Sequence, residues 1–345
     1  FIITQRAAKK TLRTAKTNSK QIINTNIFNP MKKIQIAILP VFFLLIPVFL
    51  SAQSQNYDAE YLKLVKEYTL NDDGSYDFHF HKEIRINTHF AFHRLFGETF
   101  IVYNPEFQEL KINEAYTVMA DGKKVDAPEN AFNEVLPRFA RDLPVYNHLR
   151  EMVVTHTGLE VGALIVLDYT IITKDPFIPY LMGTETIGEN VPVKEMEIIV
   201  KVPSDVRLNH KMLNLRTAPE TDKSREGTSF TWLFRSIKAN PMDSFLDHSQ
   251  DPRLIFSTAK DLPRAYFRFV DQMAFRHMAS SKAKKSVKDL FKGDEDEMTM
   301  MLALQDKVLK EVKLAKIPLK YTGYKVREPA DTWQQANATA LEKAI

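Results

Sequence analysis

Apolar and polar side chains alternate along short runs between residues 57 and 237, and no stretch of that span repeats at the helical period. In the run from Tyr76 to Ile86, the residues Tyr76, Phe78, Phe80, Ile84 and Ile86 share one parity, which in an extended chain places them on one face. Residues 109–119 lead into Ala120-Asp121-Gly122-Lys123-Lys124-Val125, where Asp-Gly between apolar runs signals a hairpin because glycine tolerates positive φ. Residues 151–156 and 163–173, separated by Gly158, give a second expected hairpin, and residues 194–202 and 229–237 supply two further alternating strands. Short strands joined by turns, without intervening helices, predict an antiparallel β-sandwich. The long connections 127–150 and 174–192, with their prolines, are expected as surface excursions.

Beyond residue 260 the period changes. Asp261 can cap a helix that carries Pro263 in its first turn and an apolar stripe of Leu262, Tyr266, Phe269, Val270, Met273 and His277. A second helix is expected from Asp294, with Asp294, Glu295, Asp296 and Glu297 toward the positive end of its dipole and Lys310, Lys313 and Lys316 toward the other. Met298, Met301, Leu302, Gln305, Val308, Leu309 and Val312 form its expected buried side. The acidic run lacks the spacing and central glycine of a calcium loop. These readings divide the chain into a β domain at 53–240, a linker at 241–260 and a helical part at 261–345.

Residues 31–52 have a basic start at Lys32 and Lys33, an apolar run, and Ala52 as a small-residue exit, the three parts of an export signal. Translation is then expected from Met31 and cleavage after Ala52, with residues 1–30 as leader and the product in the periplasm or secreted. A retained membrane anchor is the rival, but Gln35, Pro40 and Pro47 interrupt a run that is already short for a span. The chain has 47 basic and 43 acidic residues. Eight of the basic ones (Arg6, Lys9, Lys10, Arg13, Lys16, Lys20, Lys32, Lys33) and none of the acidic ones precede residue 53, so the remainder holds 39 against 43. Nucleic-acid binding needs a clustered cationic surface, and only the short group Lys282, Lys284, Lys285 and Lys288 offers one, which reads as the solvated face of a helix. Contact with a membrane is expected through the export signal alone. The chain has no cysteine, so it can carry no lipid anchor on a thiol, no disulfide and no thiol chemistry of its own.

The segment from Ala120 to Val125, together with Thr155-His156-Thr157-Gly158-Leu159-Glu160-Val161-Gly162-Ala163-Leu164-Ile165-Val166-Leu167-Asp168-Tyr169, resembles the β-domain known as domain-of-unknown-function family 3857. That resemblance implies an exported bacterial protein in which a β-sandwich precedes a transglutaminase-like, papain-like α+β core. Lys320-Tyr321-Thr322-Gly323-Tyr324, Arg327-Glu328-Pro329, Trp333 and Leu341-Glu342-Lys343-Ala344-Ile345 follow the order of the opening of such a core. Active members place a Cys at the start of the helix carrying the acidic-Lys-Ala element, with a His and an Asp on later strands. On this register Ala340 stands where the Cys would be. The resemblance implies a transglutaminase-like fold, and the residues permit a non-catalytic version of it, expected as a binding or scaffolding protein of the cell envelope with a protein, a peptide or an envelope polymer as partner. The alternative is the N-terminal part of an enzyme whose catalytic residues lie beyond Ile345. Gln335, Asn337 and Thr339 read as cleft-lining residues or, more simply, as turn and capping residues.

A metal site is the independent alternative. His79, His81 and Glu83 share one parity on their strand, with His89 and His93 near in sequence, and alternating His ligands with a carboxylate can hold zinc or iron. The plain account is a solvent face opposite Phe78 and Phe80. Neither Gly-x-Ser-x-Gly nor a phosphate-cradling glycine loop occurs, and no cofactor is expected.

Overall fold

Strand β2 (Tyr76–Ile86) forms where the alternation is most regular, and it lies near the middle of an eight-stranded sheet. The computed structural model describes residues 57–345 except 93, 175–176, 178–179, 242–247, 277–284, 286–287, 289–290 and 292–294. The export segment, the leader, His93, His277, Lys282, Lys284 and Asp294 thus fall outside the described residues. The large sheet comprises β1 (Ala59–Leu70), β2, β4 (Gln108–Val118), β5 (Lys124–Asp126), β8 (Leu164–Thr173), β10 (Val193–Pro203), β12 (Glu220–Lys223) and β13 (Gly227–Ile237). Their spatial order is β12-β13-β10-β1-β2-β8-β4-β5. The chain is mainly β with a few helices.

One expectation about direction is corrected. All neighbours in this sheet are antiparallel except β1 and β10, which are parallel with Tyr61 opposite Val193 and Tyr68 opposite Val200. A parallel pair needs a long crossover, and the chain between β1 and β10 is long enough to build other strands on the way.

Register shows the inner face directly. Trp232, Ile198, Lys66, Phe80, Tyr169 and Ile112 lie side by side across six strands, and the next row is Phe234, Met196, Leu64, Lys82, Leu167 and Ala115. Each row is apolar but for one lysine. Two three-stranded sheets cover this face. The first has the order β11-β14-β9, from β11 (Asn209–Leu213), β14 (Arg253–Ser257) and β9 (Met182–Thr186). Its Leu254 and Phe256 pack with Trp232, Ile198 and Leu64. The second has the order β3-β7-β6, from β3 (Glu98–Tyr103), β7 (Arg150–Thr155) and β6 (Phe132–Val135). Its Ile101 and Val154 pack with Leu167, Tyr169 and Ile171. A single helical turn, α1 (Arg94–Gly97), precedes β3, and Phe96 closes one end of the seam against Ile84 and Ile86.

These small sheets overturn several expectations for the same reason: irregular-looking segments hold buried apolar residues. Residues 151–156 and 163–173 are not a hairpin, because β7 pairs with β3 and β6 whereas β8 pairs with β2 and β4. Gly158 and Gly162, at φ 72° and 94°, turn the chain from one layer to the other. The excursion 174–192 contains β9, flanked by buried Leu181 and Ile187. The expected linker 241–260 contains β14, the middle strand of its sheet. Within 127–150, Ala140, Leu143, Tyr146 and Leu149 are buried and form a cluster with Ala315 and Ile317 from the C-terminal part.

Helix α2 (Leu262–Val270) starts as expected, with the Asp261 carboxylate accepting from Arg264 N at 2.8 Å. Helix α3 (Glu297–Glu311) begins at the Asp296 cap, whose carboxylate accepts from Met298 N and Thr299 N at 3.0 Å each. The apolar side expected to be buried is not. No residue of either helix is buried, and Leu262, Tyr266, Met298, Met301, Leu302 and Leu309 are all more than half exposed. Caps and the ion pairs Lys307–Glu311 and Asp306–Lys310 hold α3 locally; only Val312, just past its end, is buried. β15 (Lys313–Leu314) and β16 (Asn337–Ala338) form a short parallel pair, with α4 (Pro329–Gln335) between them and α5 (Ala340–Ala344) after.

A candidate binding cleft between two sheet edges

The two lysines of the inner face mark where the small sheets meet. Strand β9 stands over β1, where Lys66 Nζ donates to Glu185 Oε2 at 2.9 Å and lies 3.7 Å from Glu189. The Tyr68 hydroxyl donates to Glu185 Oε1. Strand β3 stands over β2, where Lys82 Nζ donates to Thr99 Oγ1 at 2.6 Å. That hydroxyl, having accepted from Lys82, donates to His156 Nε2 at 2.8 Å, which assigns His156 the neutral tautomer with its proton on Nδ1.

Burial and charge tune these groups in opposite directions. Burial disfavours the Lys66 ammonium, but the Glu185 and Glu189 carboxylates outweigh it and hold its pKa above the ordinary value. Among the described residues Lys82 has no carboxylate within bonding distance, and burial pushes it down to about 8. Burial, then the Lys82 charge, pushes His156 down to about 3. Tyr68 is raised well above its usual range by burial and then by Glu185.

Beside this polar line the seam opens into a cleft of about 450 Å³, within the ~300–1,000 Å³ usual for ligand sites. Its floor is the inner face of the large sheet, where Phe80 stacks on Tyr169 with ring centres 5.0 Å apart and Tyr68 meets Phe78 at 4.8 Å. One wall is β9 from Met182 to Glu185, and the other is β3 from Phe100 to Val102. Lys320, Tyr321 and Tyr324 of the C-terminal part close one end. Three contacts seat them: Asn104 Nδ2 donates to Tyr321 O at 3.3 Å, Gln272 Nε2 donates to Tyr324 O at 3.0 Å, and Gln272 Oε1 accepts from Val326 N at 2.9 Å. Gly323, at φ 62°, turns here so close to Phe177 that a Cβ would lie 2.3 Å from that residue's carbonyl oxygen.

The residues picked from sequence lie elsewhere. Ala340 is the first residue of α5, and its methyl is exposed. Thr339 caps that helix in a capping box with Glu342. The Glu342 side chain is 2 % exposed and is held by Arg327, with Arg327 Nη2 to Glu342 Oε2 at 2.8 Å and Nε to Oε1 at 3.0 Å. Burial opposes the Glu342 charge, but these bonds lower its pKa. Arg327 also donates to Gln335 and Asn337 and lies over the Tyr146 ring. Gln335 and Asn337 thus accept from Arg327, and Thr339 caps α5. His79, His81 and Glu83 lie on the outer face of the large sheet, opposite Phe78 and Phe80. His79 Nε2 is 2.8 Å from Asp168 Oδ1, His81 Nδ1 is 3.0 Å from Asp168 Oδ2, and His81 Nε2 is 3.4 Å from Glu83. Asn113 donates to the same Asp168 at 2.7 Å. Among the described residues no group of three or more His, Cys, Asp or Glu is arranged to hold a metal ion. Sequence reasoning missed the cleft, although the aromatic parity of Tyr76, Phe78 and Phe80, which line it, was its signal.

Residues 72–241 match the family described as Domain of Unknown Function with solved-structure structure (DUF3857). The chain is 37 % identical to a crystal structure of a "putative protease" from Parabacteroides distasonis, with a TM-score of 0.77 over 83 % of this chain. It spans 57 % of that chain's length. A structure of native yeast LTA4 hydrolase matches at 10 % identity and a TM-score of 0.30 over 58 % of this chain and 29 % of that one, a likeness that carries no argument. No curated protein matches.

Proposed function

We propose that this chain is a binding protein of the bacterial cell envelope whose ligand, a peptide or an envelope polymer, lies in the cleft between β3 and β9. One observation carries the reading: a cleft floored by stacked aromatic rings, with a neutralised Lys66–Glu185 pair and a wall formed by the C-terminal part. Aromatic floors with few placed polar groups are what small-ligand sites consist of. The β region is read as a sandwich of the large sheet against the two small ones, followed by the opening of a transglutaminase-like core with Ala340 at the position of the nucleophile. A methyl group cannot attack a carbonyl, and residues 1–345 contain no cysteine. Export through residues 31–52 would deliver the chain to the periplasm.

Calorimetric titration of the chain with soluble peptides and peptidoglycan fragments tests this. Binding that Phe80→Ala and Tyr169→Ala each weaken at least about tenfold, without turnover of the bound peptide, supports the reading; stacking contacts of this kind are worth roughly 0.5–1.5 kcal/mol beyond area burial. Hydrolysis of any of these probes by the purified chain would defeat it. The likeness to a structure described as a putative protease, of which this chain spans 57 %, favours a second reading: that chemistry is supplied by residues outside 1–345. On that reading a thiol, an imidazole and a carboxylate encoded after Ile345 would complete the site, which the coding sequence can decide.

A further inference from the structure

The walls of the cleft are strand edges. β9 is the last strand of the order β11-β14-β9, and β3 is the first of the order β3-β7-β6. The side chains of Lys66 and Lys82, on adjacent strands of the floor, reach one to each wall, at Glu185 and at Thr99. The two edges thus run along opposite sides of one cavity, lined by Gly183 and Thr184 of β9 and by Ile101 and Val102 of β3. An edge strand offers a row of backbone N–H and C=O groups, and an extended chain that reaches it can continue the ladder. We infer that the cleft takes an extended peptide segment as an added strand between β9 and β3, which joins the two three-stranded sheets into a single layer. This rests on the binding reading above and names its ligand class.

Three features set the chemistry of the peptide. Side chains alternate along a strand, so every second residue faces the floor of Tyr68, Phe80 and Tyr169 and is apolar or aromatic. The residues between them face outward and are polar. Of the charged residues that line the cleft, Lys66 and Glu185 neutralise each other, and Lys320 at the mouth is exposed and makes no ion pair among the described residues. An acidic residue at the peptide's outer end complements it. A glycan could stack on the same floor, but it has no backbone with which to continue two ladders.

The test uses the full chain and a library of six-residue peptides that alternate apolar and polar residues, ending in an acidic, neutral or basic residue. Acidic-ended members should bind most tightly, and N-methylation of alternate backbone amides should weaken them about tenfold or more, the equivalent of one or two hydrogen bonds. Binding should slow amide exchange in Glu98–Tyr103 and in Met182–Thr186 together. Lys320→Glu should shift the preference toward basic-ended peptides. Insensitivity to N-methylation, or displacement by peptidoglycan sugars with β3 and β9 exchange unchanged, overturns strand addition while leaving a binding cleft in place. If no peptide or sugar probe binds, and Phe80→Ala changes nothing, the cleft reading falls with it.

Discussion

The inner face of the eight-stranded sheet and the helices α2 and α3 both present apolar side chains and treat them in opposite ways. On the sheet, Trp232, Ile198, Met196 and Leu64 are fully buried because Leu254 and Phe256 of β14 and their neighbours cover them. On the helices, Leu262, Met298, Leu302 and Leu309 lie open. A strand has no internal hydrogen bonds and exists only when paired, so its formation brings non-local burial with it. A helix satisfies its backbone within itself, and caps at Asp261 and Asp296 suffice to set its start. An apolar stripe on a helix therefore states which side is fit for burial, while a strand's apolar parity states which side is buried.

Substitutions can break or sharpen that contrast. Trp232→Ala should have the largest effect, a loss of about 3–5 kcal/mol in urea unfolding, because a large ring leaves a cavity among residues that cannot close over it. Arg327→Ala should cost nearly as much for the segment Asn337–Ala344, about 3–5 kcal/mol, since Glu342 would be left buried without its partner. Local amide exchange over residues 337–344 reads this, and an unchanged rate there would show that the capping box alone holds α5.

The seam should also respond to acid. His156 has a folded pKa of about 3 against 6.5 for the free side chain, so the unfolded chain binds more protons between those values. Stability must then fall as pH drops below about 6.5 and continue falling toward 3. His156→Gln keeps an acceptor for Thr99, and should flatten the profile between pH 6.5 and 4. Lys82→Met should stabilise, by roughly 1–3 kcal/mol at pH 7, because it replaces a buried cation that no carboxylate pairs while Thr99 and His156 keep each other. In the unaltered chain the same penalty is relieved as pH rises from about 8 toward 10.5, where the unfolded chain holds a proton that folded Lys82 has lost. The smallest effect belongs to the helices. Leu309→Ala should move stability by no more than about 0.5 kcal/mol, and a loss above 2 kcal/mol would show that α3 is covered in solution and the contrast is false.

The parity of residues 76–86, the Asp-Gly turn at Asp121-Gly122 and the cap residues Asp261 and Thr339 were all legible in the chain, because each depends on neighbours a few positions away; the second helix, expected from Asp294, is instead capped by Asp296. The placement of β9 and β14 was not legible. Both are five residues long, lie in segments with prolines and polar residues, and owe their existence to Leu254 and Phe256 packing on β10 and β13 far away in sequence. The outer-face residues His79, His81 and Glu83 were seen to share a side, but their partner Asp168 lies on β8 and enters only through the pairing of β2 with β8.

What the order of residues determined here is local: the parity of the long alternating runs, the tight turns, the start of α2, and that residues 1–345 hold no thiol. The tertiary structure alone decided that Lys66 and Lys82, two charges on an apolar face, meet different walls of one seam, and that two strand edges stand open on either side of it. The physical reason is that hydrogen bonding and periodicity act along the chain, whereas burial is settled by what arrives from elsewhere.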